Sequence, residues 1–179
     1  MGVRLAPVAL CCALLLSLSC KQQSTASPLA DATAFAASAT QPAGEALRLQ
    51  GYVNDAAGVL SEEEEKRLFT SLLRLEKETG HQMVVATTSS LGGKEISAYS
   101  LALGRRWGIG RKGIDDGVLI LLAPNDHKAR IEVGYGLERA LPDSLCKRIM
   151  DEDMIPAFRT GAFGSGLEKG ITALSQHLH

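Results

Sequence analysis

Val118-Leu119-Ile120-Leu121-Leu122-Ala123 constrains the fold more than any other stretch of this chain. The run is short, partly β-branched and unbroken by any polar residue. It therefore reads as a strand buried on both faces, which belongs inside a sheet. Pro124-Asn125-Asp126 follows as turn chemistry, because proline fixes φ and Asn or Asp tolerates the left-handed region. Ala129, Ile131 and Val133 then alternate with Arg130, Glu132 and Gly134, a strand with one polar side. The pair is expected to form an antiparallel hairpin at the middle of a sheet. Asp115 and Asp116 precede its first strand, and Tyr135 and Glu138 follow its second. The two far ends of a hairpin lie together, so these groups are expected to share a site.

The rest of the chain supplies layers for that sheet. Asn54, Asp55 and Gly58 read as a turn ahead of Val59-Leu60. Ser61 opens a capping box with Glu64, and Leu68, Leu72 and Leu75 form a helical stripe that Gly80 ends. The glutamates 62–65 are the first turn of that helix, where its dipole favours them. Met83 to Thr88 reads as a second buried strand, and Ile96, Tyr99, Leu103 and Trp107 share one face of a helix. A helix between two strand runs predicts that those strands are parallel. Leu145, Ile149 and Met154, with Cys146 and Met150, mark a further helix ended by Pro156. Phe163, Leu167, Ile171, Leu174 and Leu178 mark the last. The expected fold is a single α/β domain over residues 49–179, with a central mixed sheet flanked by helices on both faces. Roughly 130 residues suffice for one hydrophobic core.

Residues 1–19 read as a signal sequence: Arg4 is a thin basic start, and Leu5 to Leu18 is apolar but short for a bilayer span. Leu16-Ser17-Leu18-Ser19-Cys20 resembles a bacterial lipobox, which implies that Cys20 is lipidated and anchors the chain to a membrane. An ordinary signal peptide beside a chance cysteine is the alternative. Lys21 after the cysteine implies, by the same resemblance, the periplasmic face of the outer membrane. Residues 20–48, rich in Ser, Thr, Ala, Gln and Pro, read as a linker with too few large apolar groups to offset ordering. As a coil it spans roughly 30 Å. Of the four cysteines, Cys11 and Cys12 leave with the signal and Cys20 carries lipid. Cys146 is left without a disulfide partner and is expected in the core.

A formal charge of −1 offers no electrostatic case for nucleic acid. Gly108-Ile109-Gly110-Arg111-Lys112-Gly113 matches G-x-G-x-x-G but lies after a helix and before a strand, the reverse of the dinucleotide fingerprint. No nucleotide cofactor is expected. Arg105, Arg106, Arg111 and Lys112 near this loop either hold an anion or form a solvated basic face. His81, His127, His177 and His179 sit at chain punctuations, a poor basis for zinc. The remaining chemistry is oxygen, from Asp55, Asp115, Asp116, Glu132 and Glu138 near loops and strand ends. Hard oxygen ligands from several loops suit Ca²⁺ better than Mg²⁺. Asp55, Asp115 and Asp116 are the expected metal set. Glu132 is expected to pair with Arg130 across the sheet, and Asp116-Gly117 is also readable as a plain turn. Gly134-Tyr135-Gly136 is expected to form a tight corner that brings backbone close to the site and aims Tyr135, with Tyr135, Gly136 and Glu138 as candidate cofactor-binding residues.

Trp107-Gly-Ile-Gly110, Asp115, the run 116–123, the run 130–138, Asn54 to Ser61 and Leu141-Pro142-Asp143 together resemble the TPM domain. The resemblance covers about Gly51 to Leu178 with the motifs in order. It implies an α/β domain, often membrane-attached, in a family described as acid phosphatases, calcium-binding domains or accessory factors of membrane complexes. Two functions stay open. One is a divalent-cation-binding accessory module for an envelope protein complex. The other is a metal-assisted acid phosphatase, with Asp115 or Asp116 as nucleophile or general acid and Arg130 or Lys112 stabilising developing charge.

Overall fold

From Val53 the chain builds β1 (Val53–Asp55), α1 (Glu62–Thr79), β2 (Met83–Thr87), α2 (Ile96–Trp107), β3 (Val118–Ala123) and β4 (Lys128–Val133). A 3-10 turn at Tyr135–Leu137 leads to α3 (Asp143–Ile149), a π-helical turn (Met150–Met154), α4 (Ile155–Phe158) and α5 (Phe163–Ser175). The structure, a computed structural model, describes residues 47–178. The expected signal sequence, Cys20 and the linker up to residue 46 lie outside the described residues.

The sheet runs β1-β2-β3-β4. β1 pairs parallel to β2, β2 parallel to β3, and β3 antiparallel to β4. The mixed sheet, the parallel crossover and the hairpin follow the sequence pattern. Two details differ from it. Val53–Asp55 is a strand rather than a turn, and at three residues it is too short to show a period. The hairpin lies at one end of the sheet rather than its middle: β3 is interior, and β4, with its polar side, is the edge.

Helices cover both faces. Leu68 and Leu72 of α1 and Leu167 and Leu174 of α5 pack with Val85, Val118 and Ile120 in one core. Leu103 of α2 packs with Val84, Ala86, Leu119 and Leu121 in a smaller core on the opposite face. Each buried Leu or Ile contributes about 1.5–3 kcal/mol. Leu47 joins the smaller core, and its carbonyl accepts the Trp107 indole N–H at 3.2 Å. The packed structure thus reaches back to Leu47, two residues inside the stretch read as linker.

The capping box forms as read: the Ser61 hydroxyl accepts the Glu64 amide at 3.3 Å, and the Glu64 carboxylate accepts the Ser61 amide at 2.9 Å. Pro156 does not end its helix. It occupies the first turn of α4, where a missing N–H is tolerated, and the π-helical turn before it absorbs the break. Cys146 is buried on α3. Burial, helped by the Asp143 carboxylate, pushes its thiol up to about 11. A thiol-reactive dye at pH 8 is therefore expected to label Cys146 only after denaturation. Rapid labelling of the native protein would remove Cys146 from the core.

Candidate functional site

The loop from Gly108 to Gly117 is folded around one carboxylate. Asp116 is 1 % exposed. Its Oδ1 accepts the Arg111 backbone N–H at 2.7 Å. Its Oδ2 accepts from Arg111 Nε at 2.7 Å, lies 2.5 Å from Arg111 Nη2, and stands 3.1 Å from His81 Nδ1. Burial, the largest single influence, pushes this carboxyl up. The Arg111 side chain, the Arg111 amide and His81 outweigh it and hold the carboxyl down at about 2. Asp116 is thus an anchor with both oxygens engaged.

The same loop lies directly on the chain leaving β4. A Cβ at Gly134 would fall 2.0 Å from the Asp115 carbonyl oxygen, and one at Gly136 would fall 2.1 Å from that of Ile114. The Gly136 amide donates to the Asp115 carbonyl at 3.0 Å, with Asp115 itself at φ 53. The expected tight corner is present because only glycine permits this approach. It leaves Tyr135 69 % exposed.

Beside the corner a cavity of about 660 Å³ opens between α2, the loop, β4 and the start of α3. Asp115, Arg130, Tyr135 and Glu138 all line it, joined by Arg105 and Lys112. The two ends of the hairpin therefore do meet at one place. Glu132 is held by Arg130 Nε at 2.7 Å and by the Ser100 hydroxyl at 2.8 Å. That pairing runs along one strand, between residues on the same face, rather than across the sheet.

Asp55 is elsewhere. It pairs in register with Thr87, which pairs with Leu122, at the C-terminal end of the parallel strands. Asp116 precedes Val118, at their N-terminal end, so roughly 20 Å of strand separates the two at about 3.3 Å per residue. The Asp55 carboxylate instead accepts the Leu60 amide at 2.8 Å and the Thr87 hydroxyl, closing the turn before α1. Asp55, Asp115 and Asp116 thus do not converge, and the described residues contain no group of three His, Cys, Asp or Glu placed to hold a metal ion. The reason is topological: a residue after one parallel strand and a residue before another lie at opposite ends of the sheet.

Leu101 and Gly104 on the cavity wall escaped the sequence reading, as did His81 as a partner of Asp116. The wall was signalled by Leu101, Gly104, Arg105 and Gly108 at helical spacing. The His81 contact carries no local signal, since it spans 35 residues.

Solved structures share this architecture. The N-terminal domain of a protein from P. gingivalis is 36 % identical, with a TM-score of 0.66 over 71 % of this chain and 81 % of that one. The N-terminal domain of the cg2496 protein from Corynebacterium glutamicum, 14 % identical, has a TM-score of 0.59 over 76 % of this chain and 86 % of that one. The BA42 protein from the psychrophilic Bizionia argentinensis, 22 % identical, has a TM-score of 0.60 over 66 % and 81 %. The last two are similar in fold alone. No curated protein matches this chain. The sequence profile of the TPM domain matches residues 53–177, and with it the chain belongs to the TPM domain family.

Proposed function

We propose that this chain is a lipid-anchored binding module of the bacterial cell envelope, whose cavity at the open end of the β3–β4 hairpin engages a protein partner in a membrane complex. The observation that carries this reading is the state of Asp116. Both its oxygens are taken by Arg111 and His81, and its carboxyl is held at about 2. A group in that state is not a general acid at neutral pH, and its lone pairs are not free for nucleophilic attack. Arg130, one of the two cations named for a phosphatase, is paired with Glu132. What faces the cavity is a mixed surface of Asp115, Tyr135 and Glu138 with Arg105 and Lys112, suited to contact with a partner. Calcium held by Asp55, Asp115 and Asp116 together has no part in this proposal.

Purified full-length protein, given a generic phosphate monoester at acidic and neutral pH with calcium, magnesium or neither, is expected to show no turnover above buffer. Turnover that disappears in both Asp115→Asn and Arg130→Ala would replace this reading with a phosphatase. For the anchor, cells fed a labelled fatty acid are expected to label wild type and not Cys20→Ser. Equal labelling, or a wild type released in soluble form, would end the lipid-anchor part of the proposal.

A further inference from the structure

The cavity lies along an edge of the sheet. β4 is the last strand, and the Gly134 amide donates to the Gly117 carbonyl at 2.8 Å. That bond fixes the alternation of an antiparallel pair: the backbone groups of Arg130 and Glu132 turn towards β3, and those of Ala129, Ile131 and Val133 turn outward. Among the described residues, no hydrogen bond from another element reaches the outward N–H and carbonyl groups of these three. Edge strands are commonly shielded by shortness, a bulge, a covering element or charged side chains. β4 carries charges at Lys128, Arg130 and Glu132, all on one face, but runs six residues in unbroken register with β3.

The surroundings of this edge form a groove. One wall is α2, with Leu101, Gly104 and Arg105, and the other is the start of α3, with Leu141 and Asp143. A Cβ at Gly104 would meet nothing within 4 Å, so that wall stands back from the strand. Leu101 and Tyr135, two of the five exposed large apolar side chains among the described residues, line it, and a third, Ile114, adjoins its Asp115. Exposed apolar groups gathered at one rim mark a contact surface.

We propose that a partner enters this groove as an extended peptide and adds a fifth strand along β4. This rests on the partner-binding reading above and names the form of the partner. Main-chain hydrogen bonds to Ala129, Ile131 and Val133 would hold the peptide, and its alternate side chains would face the two walls. Arg105 and Lys112 line the groove on the α2 side, with no carboxylate of the described residues in ion-pair range. Glu138 and Asp143 line it on the other side. The segment that fits carries acidic side chains towards α2 and uncharged ones towards the carboxylates of Glu138 and Asp143.

The probe is an acetylated and amidated heptapeptide of alternating Glu and Val, added to the full-length chain. Saturation is expected to slow amide exchange at Ala129, Ile131 and Val133 at least tenfold, with no change at Val53–Asp55. Val133→Pro removes one outward donor and leaves the bonds to β3 in place, and it is expected to weaken binding at least tenfold. Arg105→Glu, on an exposed helical side chain, is expected to shift preference towards a peptide with Lys in place of Glu. Equal binding of a peptide N-methylated at every residue, or binding without amide protection, would overturn strand addition while leaving a partner-binding cavity. No association with any probe also overturns it, and so does peptide-free protection that appears with dimerisation, since the occupant would then be a second copy. Failure of the underlying reading shows separately, as phosphate-ester turnover by the same preparation.

Discussion

Asp116→Ala is expected to destabilise the protein by about 2–3 kcal/mol at pH 7, measured by denaturant unfolding. Removing one partner of a fully buried ion pair costs about 3–5 kcal/mol. Here the Arg111 side chain is 56 % exposed and can turn back to water, which lowers the loss. The Arg111 amide cannot do so while the loop holds its shape, and an orphaned buried donor costs about 1–3 kcal/mol. Acid dependence gives a second readout. The folded carboxyl stands at about 2 against roughly 3.9 when unfolded, so its contribution, about 2–3 kcal/mol, is complete above the unfolded value. It fades as pH falls from near 4 through 2. Asp116→Asn should lose stability at pH 7 and lack that part of the acid slope, with calcium making no difference to the loss. A variant that unfolds within 0.5 kcal/mol of wild type, the ordinary range for surface changes, would return Asp116 to the role of a turn residue.

Gly134→Ala should be at least as severe, about 3 kcal/mol, because overpacking against backbone has nowhere to relax. Gly134 sits at φ −71, a conformation open to alanine, so the whole effect is steric. The new Cβ would meet the Asp115 carbonyl at 2.0 Å, and either β4 or the 108–117 loop must move. Gly104→Ala is the control. It enters open space on a helix, where alanine is favoured by about 1 kcal/mol, and should leave stability equal or higher. Thermal melts of the two variants test the contrast. A Gly134→Ala protein as stable as wild type would mean that the loop does not rest on β4.

What could be read from sequence was what local pattern determines. The unbroken run of β3, the alternation of β4 and the capping box at Ser61 are each visible within a few residues, and each forms. β1 is three residues long, below the length at which a period shows, and the error over Asp55 follows from missing it. Without that strand, nothing in the sequence tells which end of the sheet Asp55 occupies. Asp115, Tyr135 and Glu138 were legible as neighbours because a hairpin fixes which ends meet. The state of Asp116 was not, since it depends on burial and on a histidine 35 residues away.

β2 and β3 are buried along their whole length, and that has a consequence for how the chain finds its alignment. A strand with one wet face resists slipping by one residue, because the slip would turn its apolar set to water. Val118–Ala123 has apolar side chains on both faces and carries no such internal ruler. The alignment must be read at its ends. At one end Asp116 is held to His81, two residues before β2, and the Asp115 carbonyl lies against Gly134. At the other the Leu122 carbonyl accepts the Thr88 amide at 2.9 Å, and Asp126 accepts the Leu91 amide at 2.6 Å. The loops thus work as stops that set the phase of an otherwise featureless strand, and a redesign that kept every core residue but freed those stops would leave the strand with several alignments of similar energy.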